Sequence, residues 1–300
     1  MNADGAKPLV SVIIPVYDDP ERLNLCLRAL EHQTYPRASY EVIVVDNGSY
    51  ESVEPLAEVF EQVRIVHESQ VGSYAARNKG ISVCRGEVLA FTDSDCVPTK
   101  EWIERGVTAL GLVPDCGLVA GRIDVFFAEG GRPTAVELYE SITAFPQKLY
   151  VEQLNFGATA NLFTLRSVFE SVGLFDCDLR SGGDKDWGQR VYAAGYRLLY
   201  ADDARVSHPA RRSFRQLGKK VARLTGGDFR SKRNERRGFS SLLPPAKAVL
   251  RVLLQAHLGI RDERLGFPGG RLKVALVVLF VWYAQIRERL RLKLGSEPRR

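Results

Sequence analysis

Two carboxylates one residue apart, Asp93 and Asp95, directly follow the apolar run Val88-Leu89-Ala90-Phe91. Hard oxygen ligands at that spacing, at the end of a strand, can reach one divalent cation directly or through water. Mg2+ or Mn2+ held there would offset the charge of a diphosphate. Tyr17-Asp18-Asp19 and Asp46-Asn47 also close apolar runs. A lone Asp after a strand is ordinarily a turn residue or helix cap. Three acidic clusters on one rim imply more, because unpaired carboxylates repel unless a cation or hydrogen-bonding ligand lies among them.

The elements that must position these groups follow from periodicity. Residues 9–16 and 40–45 are short apolar, β-branched runs that read as buried strands, 63–67 reads as a third strand, and 87–92 as a further, apolar strand. Between them, residues 21–33, 53–62 and 74–84 read as helices, the first with a stripe of Leu23, Leu27 and Leu30. Strand and helix alternating at this spacing predict an α/β fold: a Rossmann-like, mostly parallel central sheet with helices on both faces. In such sheets ligands bind beyond the carboxyl ends of the strands, where the acidic clusters lie. The second half predicts a turn at Gly157-Ala158-Thr159-Ala160-Asn161, helices over 166–172 and from Ser181 to Ala194, and short strands at 196–200 and 204–206.

Other classes are disfavoured. A dinucleotide-binding dehydrogenase or a methyltransferase needs a Gly-x-Gly-x-x-Gly turn after its first strand, and this chain has Pro15-Val16-Tyr17-Asp18-Asp19 there. The five cysteines, Cys26, Cys84, Cys96, Cys116 and Cys177, are scattered without Cys-x-x-Cys spacing, which fits buried thiols in a reducing compartment better than disulfides or zinc. The start of the sequence has no basic segment leading into a long apolar run, so it does not read as a signal peptide. A cytoplasmic protein is the resulting expectation.

Val10-Ser11-Val12-Ile13-Ile14-Pro15-Val16-Tyr17, Glu41-Val42-Ile43-Val44-Val45-Asp46-Asn47-Gly48-Ser49, Ala75-Ala76-Arg77-Asn78-Lys79-Gly80 and Phe91-Thr92-Asp93-Ser94-Asp95 resemble, in order and spacing, the family 2 glycosyltransferases. Val172-Gly173-Leu174-Phe175-Asp176, Gly183-Asp184-Lys185-Asp186-Trp187, Ala194-Gly195-Tyr196-Arg197 and Val206-Ser207-His208 extend the likeness over residues 9–208. The resemblance implies a GT-A nucleotide-diphospho-sugar transferase fold and inverting, metal-dependent sugar transfer, with a UDP-sugar as the default donor.

By the same resemblance Pro15, Val16, Tyr17 and Asp46 hold the nucleoside, and Arg77 and Asn78 contact the donor near its diphosphate. Asp93 and Asp95 hold Mn2+ or Mg2+, with Asp93 also at the donor, and His208 completes the metal shell or touches the diphosphate. Asp184 falls at the catalytic base, with Asp186 as the competing carboxylate. The family pattern has Glu-Asp where this chain has Gly183-Asp184. The base is kept and its acidic neighbour is not, so an inactive scaffold is an alternative. Trp187 is expected beneath the acceptor site.

Charge divides the chain. Residues 1–204 hold 18 Lys/Arg against 30 Asp/Glu, and residues 205–300 hold 24 against 6. The expected organisation is a catalytic domain over 1–214 and a basic, helical, membrane-associating region over 215–300. Residues 230–237 read as an exposed basic loop, Pro244-Pro245 as a boundary, and 246–258 as an amphipathic helix. The apolar part of 273–286 is too short to span a bilayer, which takes about 20 residues. Its flanking Trp282, Tyr283 and arginines suit a helix lying among lipid headgroups. Packing on the catalytic body and association with a second subunit are the alternatives. The expected partners are a nucleotide-sugar and a saccharide or lipid-linked acceptor at the cytoplasmic membrane face, and no nucleic acid, since the body is acidic and carries no recognition motif.

Overall fold

Strand β1 (Val10–Val16) is buried along nearly its whole length and pairs in parallel with both β2 (Tyr40–Asp46) and β4 (Val88–Thr92). β3 (Val63–His67) extends this parallel part beyond β2. Side chains alternate across a strand, so Val10, Val12 and Ile14 share one face and pack in a cluster with Leu23, Leu27 and Leu30 of α1 (Pro20–Glu31). Pro20 opens α1 with its dihedral already helical, and Glu21 in the first turn suits the helix dipole. Each apolar side chain buried in this way contributes about 1.5–3 kcal/mol. On the opposite face lies α3 (Ser73–Val83), where a Cβ on Gly80 would come within 2.5 Å of Ile13. Glycine is what brings α3 this close to the sheet.

The computed structural model describes residues 7–127, 132–234 and 269–296, with the backbone alone for 228–234. α2 (Pro55–Val59) precedes β3, and the two-residue β5 (Val97–Pro98) leads to α4 (Trp102–Gly111). Then come β6 (Cys116–Phe126), α5 (Ala135–Thr143), α6 (Gln147–Leu154), β7 (Asn161–Leu165), α7 (Arg166–Val172), α8 (Gly183–Ala193) and β8 (Arg197–Pro209). The sheet runs β3-β2-β1-β4-β7-β6-β8-β5. The parallel expectation holds for β3 to β4. Beyond β4 the pairings β4–β7, β6–β7 and β5–β8 are antiparallel.

β8 replaces the two short strands predicted at 196–200 and 204–206 with one of 13 residues. The acidic pair between them does not interrupt the strand: Asp202 and Asp203 both lie exposed, with Arg122 and Arg205 reaching Asp202 and Arg105 reaching Asp203. The chain divides into two compact units, one of residues 1–124, 145–178 and 183–208, the other of 125–144, 179–182 and 209–300.

The second unit is built on α5, α9 (Phe214–Asn234) and α10 (Gly270–Lys293). A capping box of Thr134 and Glu137 starts α5. Val136 and Leu138 of α5, Leu217 and Val221 of α9, and Val274, Val277 and Val281 of α10 form its core. Glu140, nearly inaccessible, accepts from Lys220 Nζ at 2.6 Å and from Arg211. The exposed loop predicted at 230–237 is not found as such: residues 230–234 continue α9, and 235–237, Pro244-Pro245 and 246–258 lie outside the described residues.

α10 is apolar on two sides. Opposite its packed valines, Leu272, Leu276, Leu279, Tyr283, Leu290 and Leu294 are 42–86% exposed. At 3.6 residues per turn these six fall on one stripe. Arg271, Lys273, Arg287 and Lys293, all exposed, lie along its margins. Among the described residues no helix is long and apolar enough to cross a membrane.

Candidate active site

The carboxyl ends of β1, β2 and β4 and the start of α3 form the rim on which the polar residues gather. At the β1–β2 corner Asp18 takes a left-handed backbone with φ 50°. Its carboxylate accepts from Tyr50 N at 2.6 Å, and its own N–H donates to Ser49 Oγ at 3.0 Å. Ser49 returns two hydrogen bonds to Asp46 Oδ1, from N at 3.0 Å and from Oγ at 2.6 Å. Asp46 is thereby fixed and buried, with Oδ2 3.4 Å from His67 Nδ1. Asn47 donates to the carbonyls of Glu68 and Gln70 and accepts from Gly72 N, which ties the β2 end to the approach of α3. Pro15 and Val16 end β1, and Tyr17 stands exposed with its ring edge-on to Tyr50.

α3 carries the centre of the site. Tyr74 and Arg77 lie one turn apart, on one face of the helix. Arg77, 3% exposed, donates from Nη2 to Asp93 Oδ1 and from Nη1 to Ser73 O at 3.3 Å. Its buried Nε has no hydrogen-bond partner among the described residues. Tyr74 Oη donates to Asp184 Oδ1 at 3.1 Å, and the tyrosine ring lies beside the Arg77 guanidinium at 5.8 Å. Asp184 sits in the first turn of α8, where its Oδ1 also accepts from Lys185 N at 2.9 Å. Burial pushes its carboxyl above the usual carboxylate range. The Arg77 charge, the Lys185 N–H and Tyr74 pull it back in part, and the negative Asp93 adds to the rise.

Asp186, the competing carboxylate, is engaged elsewhere: Arg190 Nε donates to it at 3.0 Å while the same guanidinium holds the carbonyls of Val172 and Leu174. Sequence reasoning places Asn78 at the donor, whereas the structure commits its amide to the chain after α7. Asn78 Nδ2 donates to Phe175 O at 2.8 Å and Oδ1 accepts from Phe175 N at 3.2 Å. Trp187 is fully buried, stacked on Phe169 at 4.4 Å and donating to Gly173 O. It is a core residue.

β4 delivers the acidic turn. Asp95 Oδ2 lies 3.4 Å from His208 Nε2, and the His208 ring packs on Phe145. Two side chains this close could serve as neighbouring ligands of one divalent cation, the carboxylate being the donor type that suits Mn2+ or Mg2+. Among the described residues no group of three or more His, Cys, Asp or Glu is already assembled around such a position. Asp93 is turned to Arg77 instead. Cys26 and Cys96, fully buried, lie beneath the turn: Cys26 Sγ is 3.8 Å from Asp93 O, and Cys96 N donates to the same carbonyl at 3.0 Å. Burial, reinforced by the Asp93 and Asp95 carboxylates, pushes both thiols up.

Sequence reasoning missed Tyr74. Its neighbours Arg77 and Asn78 carry the visible motif, and nothing local marks a phenol that meets a carboxylate 110 positions away.

The family model for glycosyl transferase family 2 matches residues 11–173. The chain is 43% identical over 228 residues to glycosyltransferase AglE of Haloferax volcanii, covering 74% of this chain and 73% of that protein. It is 32% identical to the pre-mycofactocin glycosyltransferase of Mycobacterium tuberculosis over 69% of this chain, spanning 44% of that relative. The structure resembles that of the mannosyltransferase PcManGT from Pyrobaculum calidifontis in complex with GDP-Man and Mn2+, with TM-score 0.64, 19% identity, and coverage of 96% and 89%. The architecture is that of GT-A glycosyltransferases.

Proposed function

The chain belongs to glycosyl transferase family 2, and on that footing we propose that it moves a hexose from a nucleotide-diphosphate sugar to an acceptor hydroxyl with inversion. One observation carries this reading: a single turn of α3 holds Arg77 against the acidic turn and Tyr74 against Asp184. On this reading a phosphate-binding cation and a carboxylate base stand side by side. Asp184 takes the proton as the acceptor oxygen bonds to the anomeric carbon. The bond from that carbon to the diphosphate oxygen breaks, and its electrons leave on the nucleotide. With Oδ1 held by two donors, Oδ2 has no hydrogen-bond donor among the described residues and is the oxygen that receives the proton. Asp46 accepts hydrogen bonds from the nucleoside beside Pro15, Val16 and Tyr17. Arg77, beside the acidic turn, binds diphosphate oxygens in the forked manner guanidinium favours.

Asp93, Asp95 and His208 would hold Mn2+ or Mg2+, which when bound supplies positive charge to the leaving diphosphate. The Mn2+ in the similar mannosyltransferase supports this. The test is a thermal-shift screen of UDP-, GDP- and dTDP-sugars with and without Mn2+, followed by transfer assays. A UDP-sugar is expected to raise the melting point only with metal. If no nucleotide-sugar stabilises the protein under any condition, the reading fails.

A specific surface favours a membrane-proximal acceptor. The exposed stripe of α10, bordered by Arg271, Lys273, Arg287 and Lys293, matches an anionic lipid surface: apolar side chains for the acyl boundary, cations for headgroups. A lipid-linked saccharide presented at the cytoplasmic face would meet the enzyme there. Sedimentation with anionic vesicles at low salt should carry the protein down, and Leu276→Ser together with Leu279→Ser should release it. A protein that stays in the supernatant refutes the contact.

A further inference from the structure

Gly183 stands where the likeness to the family would place an acidic side chain, and the structure supplies a physical reason. A Cβ built on Gly183 would fall 2.7–2.9 Å from the Cε2, Cδ2 and Cζ atoms of Tyr74. No side chain fits at 183 while that ring keeps its place. The ring is nearly inaccessible, packed on Phe175 at 5.7 Å with Arg77 beside it. The phenol therefore lies over the backbone at the start of α8 and reaches the next residue, Asp184.

We propose that Tyr74 is the positioning residue for the base Asp184, and that Tyr74 and Gly183 form a matched pair occupying the place of the family's acidic residue before the base. This rests on the reading of Asp184 as the base. Donation from Tyr74 Oη and Lys185 N to the same carboxylate oxygen fixes the rotation of the carboxylate. The other oxygen is then aimed without a search through rotamers, and such alignment is where positioning groups gain their rate. Tyr74 stabilises the charged form of Asp184, as do Arg77 and the Lys185 N–H, against burial and Asp93. From α6, Tyr150 also feels the Asp184 charge.

The experiment compares Tyr74→Phe with the parent and with Asp184→Asn across pH, at saturating donor and metal. Tyr74→Phe keeps the ring that covers Gly183 and removes only the hydroxyl. Its kcat should fall at least about tenfold, since tenfold corresponds to about 1.4 kcal/mol and a hydrogen bond to a charged group is worth that much or more. The donor KM should stay within twofold. The acidic limb of the rate profile should move to higher pH, because the carboxylate loses a donor that favours its ionised form. Wild-type kcat in Tyr74→Phe overturns the proposal, as does a joint decline of kcat and KM with an unmoved pH profile. If Asp184→Asn keeps full turnover, the base assignment itself is wrong, a separate result.

The pairing is read independently from melting points. Gly183→Ala should lower the melting point, and Tyr74→Ser combined with Gly183→Ala should restore most of it without restoring kcat. A Gly183→Ala protein as stable and active as the parent overturns the matched pair.

Discussion

The guanidinium of Arg77 neutralises Asp93 while its own Nε points to no acceptor among the described residues. An arginine in this position does for the carboxylate part of what a cation would do, so the two compete for Asp93. Arg77→Met should tighten Mn2+ binding to the donor-free protein. It should also weaken nucleotide-sugar binding by about 1.5–3 kcal/mol, the usual worth of a hydrogen bond to a charged group. Calorimetric titrations with metal alone and with donor separate the two effects, and unchanged affinities would contradict the competition.

Asp184→Asn should bind donor as the parent does and lose at least about 100-fold in turnover, in the range of general base contributions. In the parent, burial raises the Asp184 carboxyl. Activity should therefore rise with pH through a midpoint above that of an ordinary carboxylate. A rate profile whose acidic limb lies at or below the ordinary aspartate range would be inconsistent with this base.

Asp95→Asn and His208→Ala should each abolish the metal-dependent part of the donor-induced melting shift and leave the melting point of the free protein within a few degrees. The two side chains meet at 3.4 Å, so the double variant should do no more than either single one. Additive losses would show that they act at separate places.

In the second unit, burial pushes Glu140 up but Lys220 and Arg211 outweigh it, leaving its carboxyl below the usual range. A depressed carboxyl stabilises the fold above its unfolded value and loses that contribution as pH falls through the folded one. Glu140→Gln should lower the melting point at pH 7, and the deficit should shrink as pH falls below about 4. Glu140→Ala, which removes the buried carboxylate that Lys220 and Arg211 both contact, should cost more than Glu140→Gln at neutral pH.

The first hundred residues were legible because β1, β2 and β4 are buried on both faces and write themselves as nearly uninterrupted apolar runs. Asp46, Arg77, Asp93 and Asp95 stand out in the sequence because they directly follow such runs or sit in a recognisable motif, and the structure brings all four to the same rim. β6 was not: Cys116-Gly117-Leu118-Val119-Ala120-Gly121 has two glycines and no clean alternation, and its pairing with β7 lies far along the chain. β8 was read as two strands because Asp202 and Asp203 break its apolar pattern, although both lie exposed on one continuous strand. Asn78 carried a donor-site motif, yet its amide clamps Phe175. The two faces of α10 cannot be told apart from composition, since both are apolar. Only the packing of Val274, Val277 and Val281 distinguishes them.

Cys26 and Cys96 make the acidic turn a chemical recorder of its own movement. Both sulfurs are shut away from water and held in the unreactive protonated form by burial and by the carboxylates above them. An alkylating reagent can reach them only in molecules where the packing around the turn has opened, so the pace at which these two thiols are alkylated counts those openings. Any occupant that fastens the turn from above slows that clock, and its grip can be timed on the native chain without attaching a probe.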